Sequence, residues 1–172
     1  MNATIRCLVQ GLDGLATYAG LEDLFAVVNA HGMTVEDVAE FVRFDPARYH
    51  RELMVKADNY QILVLGWLPG QKSPIHNHRG SLCCVRVLRG VAVETVYSRT
   101  TEGFFETRTD RYATGSVFGG EDLDIHAVEN DAASVQGLVT MHVYRPALTG
   151  MELFDAKDGR LVVRDPVALR LS

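Results

Sequence analysis

The sequence predicts a mainly β protein in which a short helical segment precedes a β-barrel or sandwich. The first ~45 residues have apolar side chains at helical spacing. From Tyr60 onward, short β-branched or aromatic runs alternate with Gly, Pro, Asn and Asp. The chain has 172 residues, of which 47% are hydrophobic and 23% charged, a balance typical of one globular domain. We therefore expect a single domain over 1–172, with helices over about 1–46 and a barrel over about 47–172.

Two helices are predicted in the N-terminal segment. The first has one apolar face and Gly32 placed to end it. The second begins at the capping-box pattern of Thr34 and stops at Asp45-Pro46. Because so short a segment makes a poor independent core, we expect these helices to flank the barrel. The apolar face of the first helix consists of Leu21, Leu24, Phe25 and Val28.

Short apolar runs predict the strands that follow. Arg89-Gly90 and Asp158-Gly159 each separate two such runs, and we interpret both as hairpin turns. The runs are Gln61–Leu68, Cys83–Leu88, Val91–Tyr97, Phe104–Arg108, Ser116–Phe118, Val135–Tyr144, Met151–Phe154 and Leu161–Arg164.

Charge and cysteine content exclude several classes of partner. Seventeen Lys+Arg against 22 Asp+Glu give a net charge of −5 without a basic run, so nucleic acid and anionic membranes are poor partners. No apolar run is long enough to span a bilayer. The three cysteines are an odd number in a sequence without a predicted signal peptide, which indicates a reducing, cytoplasmic location. Small-molecule chemistry is favoured, the oligomeric state stays open, and the charge allows a monomer.

Three of the six histidines have the spacing of a metal site. His76 and His78 lie two residues apart, so both imidazoles share one face of an extended segment and can bind one ion. With Gly70 before them and Gly90 after them, they resemble the first motif of the cupins. His126, four residues before an asparagine, resembles the second cupin motif. The fold class implied is a cupin, that is, a jelly-roll-like β-barrel.

The first cupin motif usually supplies a glutamate ligand, and Leu82 and Cys83 stand in its place here. Three neutral imidazoles leave a divalent ion with its full positive charge and with open coordination positions. Such an ion favours an anionic, soft ligand such as a thiolate.

The chain resembles the thiol dioxygenases of the cupin superfamily, and among them most closely the cysteine dioxygenases. The resemblance depends on separated elements that keep their order between Tyr49 and Pro146. A cysteine follows the second histidine of the HxH motif by five residues, and a later histidine begins an H-x-V-E-N sequence. A Y-x-R element lies upstream and an H-x-Y element lies downstream.

This resemblance implies a role for each matching residue. His76, His78 and His126 match the three Fe(II) ligands, and Cys83 matches the cysteine that is cross-linked to the ring of Tyr144. Tyr49 and Arg51 match the pair that holds the substrate carboxylate, for which a guanidinium fork is well suited. Thr140, His142 and Tyr144 match a hydrogen-bonded trio beneath the iron, although the eukaryotic enzymes have serine at the position of Thr140.

The implied activity is oxidation of L-cysteine by O2 to cysteine sulfinate. Related bacterial enzymes that act on 3-mercaptopropionate typically have glutamine at the position of Arg51 and lack the cross-linking cysteine, so both residues favour cysteine. The chain departs from the eukaryotic pattern at Arg145, which either lines the pocket or faces solvent.

Three alternatives remain at this point. A dioxygenase for 3-mercaptopropionate or another small thiol would use the same iron site. A zinc-dependent cupin isomerase would be expected to have the carboxylate ligand that this sequence lacks. A cupin that binds metal as a sensor, without catalysis, belongs to a different functional class.

Overall fold

The computed structural model describes residues 1–101, 103–121, 124–155 and 160–165, the last four of these by their backbone alone. In this part of the chain, helices α1 (Ala3–Asp13) and α2 (Leu21–Ala30) precede eleven strands. The strands are β1 (His50–Lys56), β2 (Gln61–Trp67), β3 (Ile75–Asn77), β4 (Leu82–Arg89), β5 (Val91–Thr100), β6 (Gly103–Ala113), β7 (Val117–Gly120), β8 (Ile125–Asn130), β9 (Leu138–Arg145), β10 (Met151–Phe154) and β11 (Leu161–Asp165).

The strands form two antiparallel sheets that face each other. The five-stranded sheet has the order β1-β2-β9-β4-β7, and the six-stranded sheet has the order β11-β10-β3-β8-β5-β6. Side chains from both sheets form one buried cluster between them, including Val85 and Phe118 from the first sheet and Ala92 and Val128 from the second. This is the jelly-roll-like arrangement of a cupin, and the predicted fold class is confirmed.

Strand β9 lies in the middle of the five-stranded sheet and is buried along its whole length. Alternate side chains of β9 point to opposite faces of the sheet and therefore lie in two different surroundings. Val139, Met141 and Val143 belong to a core that also includes apolar residues of α1 and α2. The residues between them, Thr140, His142 and Tyr144, have the opposite parity and face the interior between the sheets. The helices thus cover the outer face of this sheet.

The helical prediction is correct for α2 and wrong for the segment after it. Gly32 follows α2 with a φ of +51°, a conformation that glycine adopts without steric cost. Beyond it, Thr34 does begin a local turn, because its backbone N–H donates to Asp37 Oδ2 at 2.9 Å. The chain forms only a single 3₁₀ turn at Ala39–Phe41, however. Length is not the reason, since α2 has only 10 residues. The segment contains the β-branched residues Val35, Val38 and Val42, which lower its helix propensity.

The hairpin predicted at Arg89-Gly90 is also wrong. Strand β4 belongs to the five-stranded sheet and β5 to the six-stranded sheet, so the chain crosses between the sheets here. Gly90 has a φ of +90°, and a Cβ atom on it would lie 3.2 Å from Leu138 Cα. Sequence alone cannot distinguish such a corner from a hairpin, because both need a residue with positive φ. The turn predicted at Asp158-Gly159 lies outside the described residues.

Candidate metal centre and thiol pocket

Three buried histidines converge on the inner face of the six-stranded sheet. His76 in β3 pairs with His126 in β8, and His78 follows β3 directly. One ring nitrogen of each lies within 4.8 Å of the others, a spacing that can hold a metal ion. Among the described residues this group contains no carboxylate. The predicted shared face of His76 and His78 is therefore present, and the fold adds His126 from a distant strand.

Hydrogen bonds orient two of these rings. The Nδ1–H of His76 donates to the carbonyl of Pro74 at 2.9 Å, and the Nδ1–H of His126 donates to Glu94 Oε1 at 2.7 Å. Both bonds leave Nε2 as the atom with a free lone pair. His126 Nε2 lies 3.4 Å from His78 Nε2. The lone pairs therefore point toward a common position.

The chemistry of this donor set fits a metal. Burial lowers the pKa of His76 and His78 well below the ordinary value of 6.5, so both imidazoles are neutral and can act as ligands. Nδ1 of His78 is buried without a hydrogen-bond partner in the described part of the chain. Neutral imidazoles suit iron, zinc and other first-row divalent ions. The site is a non-heme metal site by its ligands.

Four side chains form a line of hydrogen bonds below this centre. The indole N–H of Trp67 donates to Thr140 Oγ1 at 3.0 Å, and Thr140 Oγ1 lies 2.9 Å from His142 Nε2. The hydroxyl of Tyr144 lies 3.3 Å from His142 Nδ1. Since an indole can only donate, the hydroxyl proton of Thr140 is available for His142 Nε2.

The hydrogen bond donated by Thr140 to His142 determines which hydrogen bonds the hydroxyl of Tyr144 can make. Burial, together with the nearby charge of Arg51, lowers the pKa of His142 to about 3, so its ring is neutral. With Nε2 accepting from Thr140, the single ring proton sits on Nδ1 and is donated to the oxygen of Tyr144. The proton of Tyr144 is then left for another acceptor. Burial also raises the pKa of Tyr144 well above 10, which keeps that proton in place.

Cys83 is the neighbour of Tyr144 on the adjacent strand. The two residues are direct partners in the pairing of β4 with β9, so their side chains are neighbours on the inner face of the sheet. Burial raises the pKa of the Cys83 thiol well above its ordinary value. Cys84 faces the opposite side and belongs to the core beneath the helices. Successive residues of a strand point to opposite faces, so these adjacent cysteines have separate surroundings.

Tyr49 and Arg51 line the same pocket as His76 and His126. Its space is about 290 Å³ with its mouth included, which is small for a ligand site. Tyr49 stacks on Trp67 with ring centroids 4.2 Å apart. Arg51 in β1 donates from Nη1 to Met151 Sδ at 3.7 Å, so it reaches across to the six-stranded sheet. The other lining residues are Leu65, Trp67, Ser73, His76, His126, Val128, His142, Tyr144 and Met151.

Sequence reasoning missed two functional candidates. By its sequence context Trp67 is interpreted as barrel packing, yet it bonds Thr140 and stacks on Tyr49. Glu94, bonded to His126, belongs to none of the motifs. A signal for Glu94 was present, since it is a charged residue inside the apolar run Val91–Val96.

Arg145 follows neither of the two expectations. It is 5% exposed and has the parity of the outer face of β9, away from the pocket. Its guanidinium donates to the carbonyls of Leu12, Leu15 and Ala16 at 2.9 to 3.1 Å. Arg145 therefore fastens the end of α1 to the sheet.

The described helices include none long and apolar enough to cross a membrane. Among solved structures, the fold is similar to that of the TT1209 protein from Thermus thermophilus, with a TM-score of 0.55, 22% identity, and coverage of 67% of this chain and 99% of that one. It is also similar to a double-stranded β-helix protein from Klebsiella pneumoniae, with a TM-score of 0.55, 19% identity, and coverage of 69% and 94%. Both likenesses concern the fold alone.

The sequence comparisons identify a family. Cysteine dioxygenase type 1 of Rattus norvegicus is 25% identical over 144 residues, which cover 81% of this chain and 72% of the relative. The Homo sapiens protein of the same name is 24% identical over the same coverage. The model of the family described as cysteine dioxygenase type I matches residues 5–157. The chain therefore belongs to the cysteine dioxygenase type I family, and it is an oxidoreductase of the dioxygenase class.

Proposed function

We propose that this protein oxidises L-cysteine with O2 to cysteine sulfinate, using Fe(II) held by His76, His78 and His126. The observation that carries the proposal is a group of three buried imidazoles, with no carboxylate in it, beside a pocket that contains Arg51. The reaction adds both oxygen atoms to the substrate sulfur, so RSH and O2 give RSO2H without a further reductant.

The ligand set favours a thiol substrate. Fe(II) bound there would acidify the substrate thiol and supply the redox chemistry that activates O2. Because an imidazole binds a metal ion as a neutral ligand, His76, His78 and His126 would leave the positive charge of the ion for an incoming anion. His76 and His126 line the pocket, and the substrate thiolate and amine would bind there.

Arg51 and Tyr49 would hold the substrate carboxylate. Arg51 supplies the permanent positive charge of the pocket wall, and its planar guanidinium can bind a carboxylate through two parallel hydrogen bonds. Tyr49 is held by stacking on Trp67, and burial raises the pKa of its hydroxyl, which therefore stays a donor. Fixing the carboxylate would align the sulfur for reaction, a contribution worth several kcal/mol in favourable cases.

The hydroxyl of Tyr144 would donate a hydrogen bond into the pocket. Its oxygen accepts from His142 Nδ1, and its ring lies 5.4 Å from that of His78. A hydroxyl placed so near the metal ligands can hydrogen-bond to bound substrate or oxygen. Thr140 and Trp67 would act through His142 by fixing its tautomer. We further propose that Cys83 becomes joined to Tyr144, and that the enzyme acts in cysteine catabolism in the cytoplasm.

Oxygen consumption tests the proposal directly. The Fe(II)-reconstituted protein is given L-cysteine or 3-mercaptopropionate in parallel, and the sulfinate product is identified. Faster uptake with cysteine supports the proposal. Preference for 3-mercaptopropionate would keep the iron site but overturn the assignment of substrate. No uptake with either thiol by a metal-loaded protein would favour a sensor cupin.

Two histidine variants serve as a matched pair in this assay. His126→Ala removes one proposed ligand, so iron content and oxygen uptake should both fall. His31→Ala alters a histidine at the C-terminal end of α2, outside the pocket. It should retain both. Equal uptake by the two variants would exclude His126 from the site.

A further inference from the structure

Glu94 is a buried carboxylate next to the proposed metal site, on the side of the His126 ring that faces away from the metal position. It lies in β5, is 3% exposed, and accepts the Nδ1–H of His126 through Oε1 at 2.7 Å. Its other oxygen lies 3.4 Å from the hydroxyl of Tyr112 and 3.7 Å from Arg108 Nη2. Both carboxylate oxygens are therefore engaged, and the side chain is held in one orientation.

The charge around Glu94 is incompletely balanced by its protein partners. Asp110 lies directly opposite it in the pairing of β5 with β6 and also binds Arg108. The Arg108 side chain is 58% exposed, so solvent screens much of its charge. Two carboxylates thus share one largely solvated cation, and a buried carboxylate is costly without further compensation. A cation on the far side of the His126 ring would supply it.

The three histidines differ in the hydrogen-bond partner of their Nδ1 atoms. His76 donates to a neutral carbonyl, and Nδ1 of His78 has no hydrogen-bond partner in the described residues. His126 alone of the three is hydrogen-bonded to a carboxylate. A carboxylate behind a ligating imidazole fixes its tautomer and strengthens it as a donor. His126 should therefore be the most firmly held ligand.

We propose that Glu94 is a positioning residue for the metal, acting through His126. It aims Nε2 of His126 at the site and offsets part of the charge of the bound ion. Leu82 and Cys83 stand where the first cupin motif usually supplies a carboxylate ligand. Glu94 instead provides a carboxylate one hydrogen bond away from the metal ligands, where it occupies no coordination position. This inference rests on the proposed metal site of His76, His78 and His126.

Metal affinity tests this inference without relying on turnover. Apo-protein competes with a chromophoric chelator for Co(II), and the visible absorption of the bound Co(II) is recorded. Glu94→Gln keeps an acceptor for His126 but removes the charge, whereas Glu94→Ala removes both. Glu129→Gln is the matched control, since Glu129 lies on β8 near His126 but pairs with Lys72 at 3.3 Å. His126→Ala reports whether the three-histidine site is the one measured.

We expect Glu94→Ala to weaken Co(II) binding by about tenfold to a hundredfold and to alter its absorption. Glu94→Gln should fall between it and wild type, and Glu129→Gln should remain within about twofold of wild type. If Glu94→Ala does not fold, as judged by its thermal melt, Glu94→Gln decides. Wild-type affinity in Glu94→Gln and in folded Glu94→Ala would overturn the inference, as would an equal loss in Glu129→Gln. Equal binding by wild type and His126→Ala would instead overturn the metal site itself.

Discussion

Cys83 and Tyr144 lie directly opposite each other on β4 and β9, and both side chains are buried in the interior between the two sheets. Directly opposed residues of an antiparallel pair have their Cβ atoms about 4.5–5.5 Å apart. Burial raises the pKa of both groups, so each keeps its proton in the resting protein. The sheet register alone thus brings a thiol to a phenol ring beside the three histidines.

We expect a thioether bond to form between Cys83 Sγ and the Tyr144 ring when the iron-loaded protein turns over in oxygen. The S–H and a ring C–H would be lost, and their two electrons and two protons would reduce O2. Intact-mass measurement before and after turnover should therefore show the loss of two hydrogen atoms.

Cys84 provides the control for this prediction. Cys83→Ser should abolish the mass change, whereas Cys84→Ser should retain it, because Cys84 faces the helices. An unchanged mass in wild type after many turnovers would contradict the cross-link. The same loss in Cys83→Ser would assign it to other atoms.

Arg51→Ala should raise the KM for cysteine by about tenfold to a hundredfold, because a charge-assisted hydrogen bond is worth roughly 1.5–3 kcal/mol. Steady-state oxygen uptake over a range of cysteine concentrations measures it. Arg48→Ala is the matched control, since the Arg48 side chain is 74% exposed and pairs only loosely with Asp45. If KM is unchanged in Arg51→Ala, Arg51 does not bind substrate.

The sequence allowed the three-histidine centre to be predicted because two of its members are separated by a single residue. Such spacing fixes a shared face whatever the rest of the fold does. His126 and Tyr144 were assigned through family resemblance, not through spacing, because their proximity depends on pairing between distant strands. Glu94 and Trp67 were missed for the same reason, since only the register brings them to His126 and Thr140.

Predictions from neighbouring residues in the sequence are wrong where tertiary contacts determine the local structure. The capping pattern at Thr34 produces its hydrogen bond but no α-helix. Arg145 illustrates the same limit, because its carbonyl partners are about 130 residues away in sequence. A buried arginine of this kind cannot be distinguished from a surface one by its neighbours in the chain.

Arg145→Met should destabilise the fold without altering substrate binding. The variant keeps an apolar stem but leaves the carbonyls of Leu12, Leu15 and Ala16 without their donor, at a cost of about 3 kcal/mol in the free energy of unfolding. Denaturant melts measure that cost. The KM for cysteine should stay within about twofold of wild type, because Arg145 lies outside the pocket. A rise in KM as large as that of Arg51→Ala would mean that Arg145 contacts substrate after all.

His142 should make the stability of the metal-free protein depend on pH. Its pKa is lowered from 6.5 to about 3 by burial and by Arg51, so the folded state keeps it neutral while the unfolded state protonates it near pH 6.5. Between those values the unfolded state binds one more proton. The free energy of unfolding should therefore fall as the pH falls, by at most about 1.4 kcal/mol per pH unit for this group.

His142→Gln isolates this contribution from the other buried histidines, because they remain in both proteins. In denaturant melts at pH 7, 6 and 5, the free energy of unfolding should fall more steeply with falling pH in wild type than in His142→Gln. At pH 5 the difference between the two slopes should approach the value expected for one proton. Above pH 7 both states hold His142 neutral, so the difference in stability between the two proteins should be constant up to pH 9. Parallel curves down to pH 5 would mean that His142 is protonated in the folded state as readily as in the unfolded chain. The donor direction derived for Thr140, His142 and Tyr144 would then fail, since a charged ring donates from both nitrogens.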